Sequence, residues 1–256
     1  MAQATYQASE KRAVQILLAA RELFLADGWD HFSVERIAEF MECSRPLVYK
    51  HFSCKEEILL ALAIESKRRR ARFYERAVMF PGRPREKILA IGEVETFLSP
   101  RDLPVELLVA STCLRAKTSR ERQGELKVLD VRAISLGAGI IREAVNAGDL
   151  KLPGRMCPED LLFFMWASRW GASTIMRSDT PIAMAGVAEP ALAVEWSLGL
   201  LLDGYGWQPL SSQWDYKRTR KRVHAEAFPP EVVEEILGNR RRIESHVRET
   251  KPSFQE

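Results

Sequence analysis

Between Ser44 and Phe52 the chain reads Ser-Arg-Pro-Leu-Val-Tyr-Lys-His-Phe, a short run of cationic and aromatic residues at helical spacing. Val48 and Phe52, four apart, point to one side of a helix and leave Arg45, Pro46, Tyr49 and Lys50 on the other. Such a face suits the major groove of duplex DNA. The groove admits one helix, base edges accept hydrogen bonds from Arg and Lys, and the flanking phosphates attract cations and tyrosine hydroxyls.

A reading helix needs neighbours that hold it. Upstream, Ile37, Ala38 and Met41 share one face of a second short helix, and Met41-Glu42-Cys43 is the turn between the two. Ser33 and Ser44 stand where a hydroxyl can accept a hydrogen bond from an unpartnered backbone N–H at a helix start, and Pro46 is tolerated in a first turn. Before this pair, Ala13, Ile16, Leu17, Ala20, Leu23, Phe24 and Leu25 predict an amphipathic helix from about Lys11 to Asp27, stopped at Gly28. After it, Lys55-Glu56-Glu57-Ile58-Leu59-Leu60 opens another helix.

This order, a framing helix, a helix-turn-helix and a helix starting at Lys55, resembles the TetR family of bacterial transcriptional regulators. The resemblance rests on Ala19-Ala20-Arg21-Glu22-Leu23-Phe24, Gly28, Ser33-Val34, Ile37-Ala38, Ser44, Leu47-Val48-Tyr49-Lys50-His51-Phe52 and Lys55-Glu56-Glu57-Ile58-Leu59, and covers about the first quarter of the chain without a gap. By matching positions it implies that Ser33 and Ser44 offer helix N-termini to phosphate and that Arg45 and Lys50 hydrogen-bond to bases or phosphates. Pro46 and Leu47 would make apolar contact, as with a thymine methyl, and Tyr49, His51 and Lys55 would hold the phosphate backbone. Two residues depart from the family pattern. Cys43 replaces a small aliphatic residue, and Cys54 replaces a capping Ser, Asn or Asp, with Ser53 as the substitute cap. A thiol at a helix start beside Lys55 raises redox sensing as an option, against that of an ordinary reduced cysteine.

The remainder is helical in pattern, with no strict alternation of apolar and polar residues, so the fold class is all-α. Proline, glycine and capping residues place helices at about 55–79, 84–98, 104–117, 120–147, 158–178 and 189–205, with breaks at Leu98-Ser99-Pro100 and Leu103-Pro104 among others. Three domains follow: a helix-turn-helix DNA-binding domain at 1–54, a larger α-helical effector-binding and dimerisation domain at 55–208, and a C-terminal extension at 209–256. The extension carries the basic run Lys217 to Arg222, a helix opening at Pro229-Pro230-Glu231, and Arg240-Arg241-Arg242; it reads as a partly ordered appendage, with extra DNA-phosphate or dimer contacts as the other options. The run Lys67, Arg68, Arg69, Arg70 and Arg72 is expected near the join between domains and is not assigned to DNA.

In the second domain the resemblance implies that the helices at about 158–178 and 189–205 pair with their copies in a second subunit as a four-helix bundle. Leu161, Leu162, Met165, Ser168, Ala172 and Ile175 form one candidate stripe and Leu192, Trp196 and Leu200 another. It also implies a small-molecule effector. Phe97, Leu108, Cys113, Ile140, Phe163, Trp166 and Trp170 are the candidate lining for an apolar or aromatic molecule, although such stripes are more often packing. Arg115 and Arg169, in apolar surroundings, would pair either with a ligand anion or with an acid such as Glu106 or Asp160.

Composition bounds the other functions. Hydrophobic residues at 46% suit a globular protein, and a net charge of +3 argues neither for nor against nucleic acid. The N-terminus has no signal-peptide pattern and no apolar stretch is long enough to span a membrane, so a cytoplasmic location is expected. Cys43, Cys54, Cys113 and Cys157 are scattered, which fits a reducing compartment and no metal site or disulfide. His31, His51, His224 and His246 lack metal-ligand spacing, and neither a nucleophile elbow nor a glycine-rich phosphate loop is present. No catalytic residue and no cofactor is therefore expected. The reading is a homodimeric regulator, a repressor, that binds a two-fold double-stranded DNA operator and is released by a small molecule. The alternative is the same DNA-binding fold controlled by a protein partner or by thiol redox state.

Overall fold

The computed structural model describes residues 2–110, 116–178 and 182–237, with side chains described outside 2–8, 96, 97 and 99–101. All regular structure among these residues is helical: α1 Ala2–Asp27, α2 Val34–Phe40, α3 Arg45–Tyr49, α4 Lys55–Met79, α5 Pro84–Ala110, α6 Arg120–Asn146, α7 Pro158–Arg177, α8 Pro190–Gly204, α9 Tyr216–Arg222, a π-helical turn Val223–Ala227, and α10 Pro230–Leu237. None of the described helices is long and apolar enough to cross a membrane.

Packing divides the chain into two compact units, one of residues up to Arg68 with Glu95–Arg132, the other of Arg69–Val94 with residues from Ala133 onward. The division cuts α4 at Arg68 rather than at its start. Burial explains why: Ile58, Leu59, Leu60, Leu62 and Ile64 of α4 lie in one core with Ile16, Ala20 and Phe24 of α1, Ile37 of α2, Val48 of α3 and Phe52. Phe32 anchors this core, edge-on to Phe24 at 5.9 Å and stacked on Trp29 at 6.2 Å.

One expectation is corrected here. The breaks at Leu98-Ser99-Pro100 and Leu103-Pro104 are absent, and the helices expected at 84–98 and 104–117 are one helix through Ala110. Each interior proline costs about 3 kcal/mol. Leu98, Leu103, Val105 and Val109 are all buried, and roughly 1.5–3 kcal/mol for each such side chain outweighs that cost. The C-terminal extension, as far as Leu237, packs into the second unit. Trp207, Val223, Ala227, Phe228 and Ile236 are buried in the second unit. Arg85 of α5, itself buried, donates to the carbonyls of Trp207, Pro209 and Gly199 and to the Ser211 hydroxyl, and pairs with Asp203 at 2.7 Å. Burial pushes the neighbouring Tyr216 phenol well above the ordinary tyrosine range. The run Arg240-Arg241-Arg242 lies outside the described residues.

Candidate nucleic-acid interface

α2 starts where Ser33, in extended conformation, accepts a 3.2 Å hydrogen bond from the Arg36 N–H. α3 starts at Ser44 with Pro46 in its first turn, but the Ser44 hydroxyl makes no capping bond. The turn between them is held by Cys43 N–H donating to the Ala38 carbonyl at 2.9 Å. It places Glu42 at φ 49°, a left-handed conformation that a side chain disfavours.

Val48 is fully buried, whereas Ser44, Arg45, Pro46, Tyr49 and Lys50 are exposed and Leu47 and His51 half-buried. One side of α3 is therefore locked in the core and the other is free. Arg45 stands 3.9 Å from Glu35. Hydrogen bonding to the backbone and to Ser33, with Arg45 nearby, holds the Glu35 carboxyl below the usual glutamate range. Burial, with help from Lys50 and Arg12, keeps the His51 imidazole below the ordinary histidine value. Lys55 is already engaged: its ammonium donates to the Phe32 carbonyl at 3.1 Å and sits 3.9 Å from the Trp29 ring centre. An ammonium has three donors, so hydrogens remain for a phosphate.

A brace under α3 had no local signature. Glu57, buried on the first turn of α4, accepts from the Arg122 guanidinium and the Ser119 backbone N–H. Arg122 also lies 5.0 Å from the Phe52 ring. Lys117 pairs with Glu56 at 3.2 Å, and the Cys54 thiol donates to the Lys117 carbonyl at 3.6 Å. Burial opposes ionisation of Glu56 and Glu57, yet these partners leave both carboxyls below their ordinary value.

The expected cationic contacts elsewhere are internal. Lys67 pairs with Asp130 at 2.9 Å and with Glu106, and Arg68 with Glu65 and Glu125. In the second unit Arg220 is held by Glu93 and Glu195, and Arg222 by Glu226 and Glu86. Of the run Lys217 to Arg222, Arg220 and Arg222 are thus engaged by acids, while Lys217, Arg218 and Lys221 are exposed.

The residues of the expected effector lining belong to both units, and part of them lie outside the described residues. Phe97 falls among the undescribed side chains, and Cys113 and Arg115 lie outside the described residues. Leu108 packs against the core of the first unit, and Ile140 is buried on α6 in the second. Phe163 and Trp166 are exposed on α7, in an aromatic row with Trp170 whose ring centres are 6.3 and 5.9 Å apart. Arg169 donates to the Gly92 carbonyl at 3.4 Å, while Asp160 caps its own helix and Glu106 accepts from Ser66.

Residues 16–62 match the family model described as bacterial regulatory proteins, tetR family. The HTH-type transcriptional regulator TcmR of Streptomyces glaucescens is 46% identical over 46 residues, 18% of this chain and 20% of the relative. The HTH-type transcriptional activator FasR of Mycolicibacterium smegmatis is 38% identical over 53 residues, 21% of this chain and 24% of the relative. The chain thus spans about a fifth to a quarter of the length of these curated relatives. Among solved structures, a TetR/AcrR-family transcriptional regulator from Thermobifida fusca aligns with a TM-score of 0.58 at 25% identity, over 76% of this chain and 98% of that one.

Proposed function

We propose, for a chain that belongs by its first domain and its fold to the TetR family of bacterial regulatory proteins, that it is a homodimeric transcriptional repressor acting on a two-fold DNA operator in the cytoplasm. The observation that carries the reading is the two-sidedness of α3. Val48 is sealed in the core while Arg45, Pro46, Tyr49 and Lys50 stand out together. Arg45 and Lys50 are assigned to bases or phosphates, Pro46 and Leu47 to apolar contact, and Tyr49, His51, Lys55 and the helix starts at Ser33 and Ser44 to the backbone.

A dimer is supported by what α7 and α8 expose. Phe163, Phe164, Trp166, Trp196 and Leu200 are large apolar side chains left to solvent, a set that a second copy would cover. Two α3 helices about 34–36 Å apart would then enter successive major grooves. Release by a small apolar or aromatic effector in the second unit follows from the family kinship and would act by shifting the population between two states, with reciprocal coupling.

The test is selection of a randomised duplex pool by the purified chain at about 0.15 M salt, with sedimentation of the free protein and of the selected complex. A two-fold sequence bound by two chains is expected. A stable monomer, or no enrichment over random competitor, would end this reading. Replacement of Arg45 by Ala should weaken the selected duplex by about 1–3 kcal/mol and relax one position per half-site if it reads a base.

A further inference from the structure

We infer that Trp29, in the turn between α1 and α2, is a positioning residue for DNA binding: its ring and the Phe32 carbonyl hold the Lys55 ammonium at the start of α4, where it meets a backbone phosphate. The inference rests on the DNA-binding reading above, which assigns Lys55 to the backbone, and adds a residue that touches no DNA and acts through Lys55.

The contact lies within the first unit. The Lys55 ammonium sits over the Trp29 ring, 3.9 Å from its centre, and donates to the Phe32 carbonyl at 3.1 Å. Both partners belong to one turn, which the Phe32 N–H closes by donating to the Trp29 carbonyl at 3.1 Å. Phe32 anchors that turn. It is 2% exposed and edge-on to Phe24 at 5.9 Å, and the half-buried Trp29 ring stacks on it at 6.2 Å. The hydrophobic core therefore fixes the ring face that the ammonium meets.

Lys55 needs such a hold. It is the first residue of α4, where the helix dipole is positive and disfavours a cation, and its four-carbon stem has many rotamers. Without partners the ammonium would turn away into water. Among the described residues no carboxylate pairs with it, so the hold is made by two uncharged groups, an aromatic face and a carbonyl, and the positive charge is not cancelled. Lys67, Arg68, Arg72, Arg220 and Arg222, by contrast, are each held by a carboxylate. The remaining ammonium hydrogens can go to a phosphate oxygen. Ordering a long side chain before DNA arrives removes an entropic penalty that is otherwise met on binding, about two- to ten-fold in affinity for one side chain. Trp29 would therefore raise affinity without reading sequence.

The experiment measures anisotropy of a labelled duplex, selected by the wild-type chain from a random pool, against salt concentration for wild type, Trp29→Leu, Trp29→Phe, Lys55→Met and the double variant Trp29→Leu with Lys55→Met. Trp29→Leu should weaken binding about two- to ten-fold per protomer with the salt slope unchanged, since the charge remains. Lys55→Met should flatten the slope of log affinity against log salt by about 0.9 per protomer, and in that background Trp29→Leu should have no further effect. Trp29→Phe, which keeps a ring face, should bind more tightly than Trp29→Leu. An equal loss from Trp29→Leu with and without Lys55, as general damage to the core would give, overturns the inference, and so does an unchanged slope in Lys55→Met; both leave the DNA-binding reading intact. Failure to select any duplex overturns both. NMR of the wild-type chain carrying isotope-labelled lysine reads the hold without DNA and without a core substitution. The Lys55 ε-methylene signal, identified by its loss in Lys55→Met, should lie upfield of the other lysines because of the Trp29 ring current, and a signal among the others sinks the positioning role.

Discussion

Replacing Glu57 by Gln should unfasten the base of the recognition helix. The Glu57 side chain is 4% exposed and that of Arg122 31%, so the pair is buried on one side only. Removing one member of a fully buried pair costs about 3–5 kcal/mol; partial access of the guanidinium to water lowers the expected loss to about 2–3 kcal/mol. Arg122→Ala should lose about 2 kcal/mol, since the carboxylate keeps the Ser119 N–H and some access to water is opened. The double variant should lose less than the sum, giving a coupling of about 1–2 kcal/mol. Urea unfolding of the four chains at pH 7 measures this. Because the folded-state carboxyl titrates below its ordinary value of 4.5, its contribution is complete above that value and disappears as pH falls through the lower folded value. The gap between wild type and Glu57→Gln should therefore be constant from pH 7 to about 5 and close in more acid solution. A loss under about 0.5 kcal/mol, or no coupling, would show that the contact is incidental.

Three further substitutions probe other parts of the molecule. Glu42→Gly should raise stability by about 0.5 kcal/mol, because relief of the left-handed strain at φ 49° exceeds the added freedom of the unfolded chain; a lower urea midpoint would contradict this. Leu200→Glu places a charge on a side chain that is 71% exposed in the single chain. It should leave helical content unchanged and convert a sedimenting dimer to monomer, and an unaltered dimer would move the interface away from α8. Arg85→Met should destabilise the second unit by about 3–5 kcal/mol by stranding Asp203 and the carbonyls of Trp207 and Pro209. A urea midpoint close to wild type would refute that tie.

What the sequence disclosed was local. The helix-turn-helix was legible because each of its signals acts within a few residues: Val48 and Phe52 one turn apart, Ser33 capping Arg36, and a positive φ at Gly28 ending α1. The ends of α6, α7 and α8 were legible for the same reason, through Gly148, Pro158 and Pro190. The capping hydroxyl of Ser44 was expected and is not used, since the backbone reaches the right conformation without it.

What the sequence concealed lies in partners far apart along the chain. Pro100 and Pro104 are breakers by every local rule, and only the burial of Leu98, Leu103, Val105 and Val109 keeps α5 whole. Glu57 meets Arg122 across 65 residues, and Arg85 meets Trp207 across 122. The partners of the basic run in the extension were not legible, because nothing nearby in sequence announces that Glu93 and Glu195 hold Arg220 or that Glu86 holds Arg222. Aromatic side chains are ambiguous in another way. Phe163 and Trp166 satisfy the composition of a ligand cavity, and helical phase leaves both exposed on α7 in the single chain. Residue type alone does not separate a cavity wall from an interface. The side of the helix does, and that is set by which neighbour the opposite face buries, as Val48 does for Lys50 in the first unit.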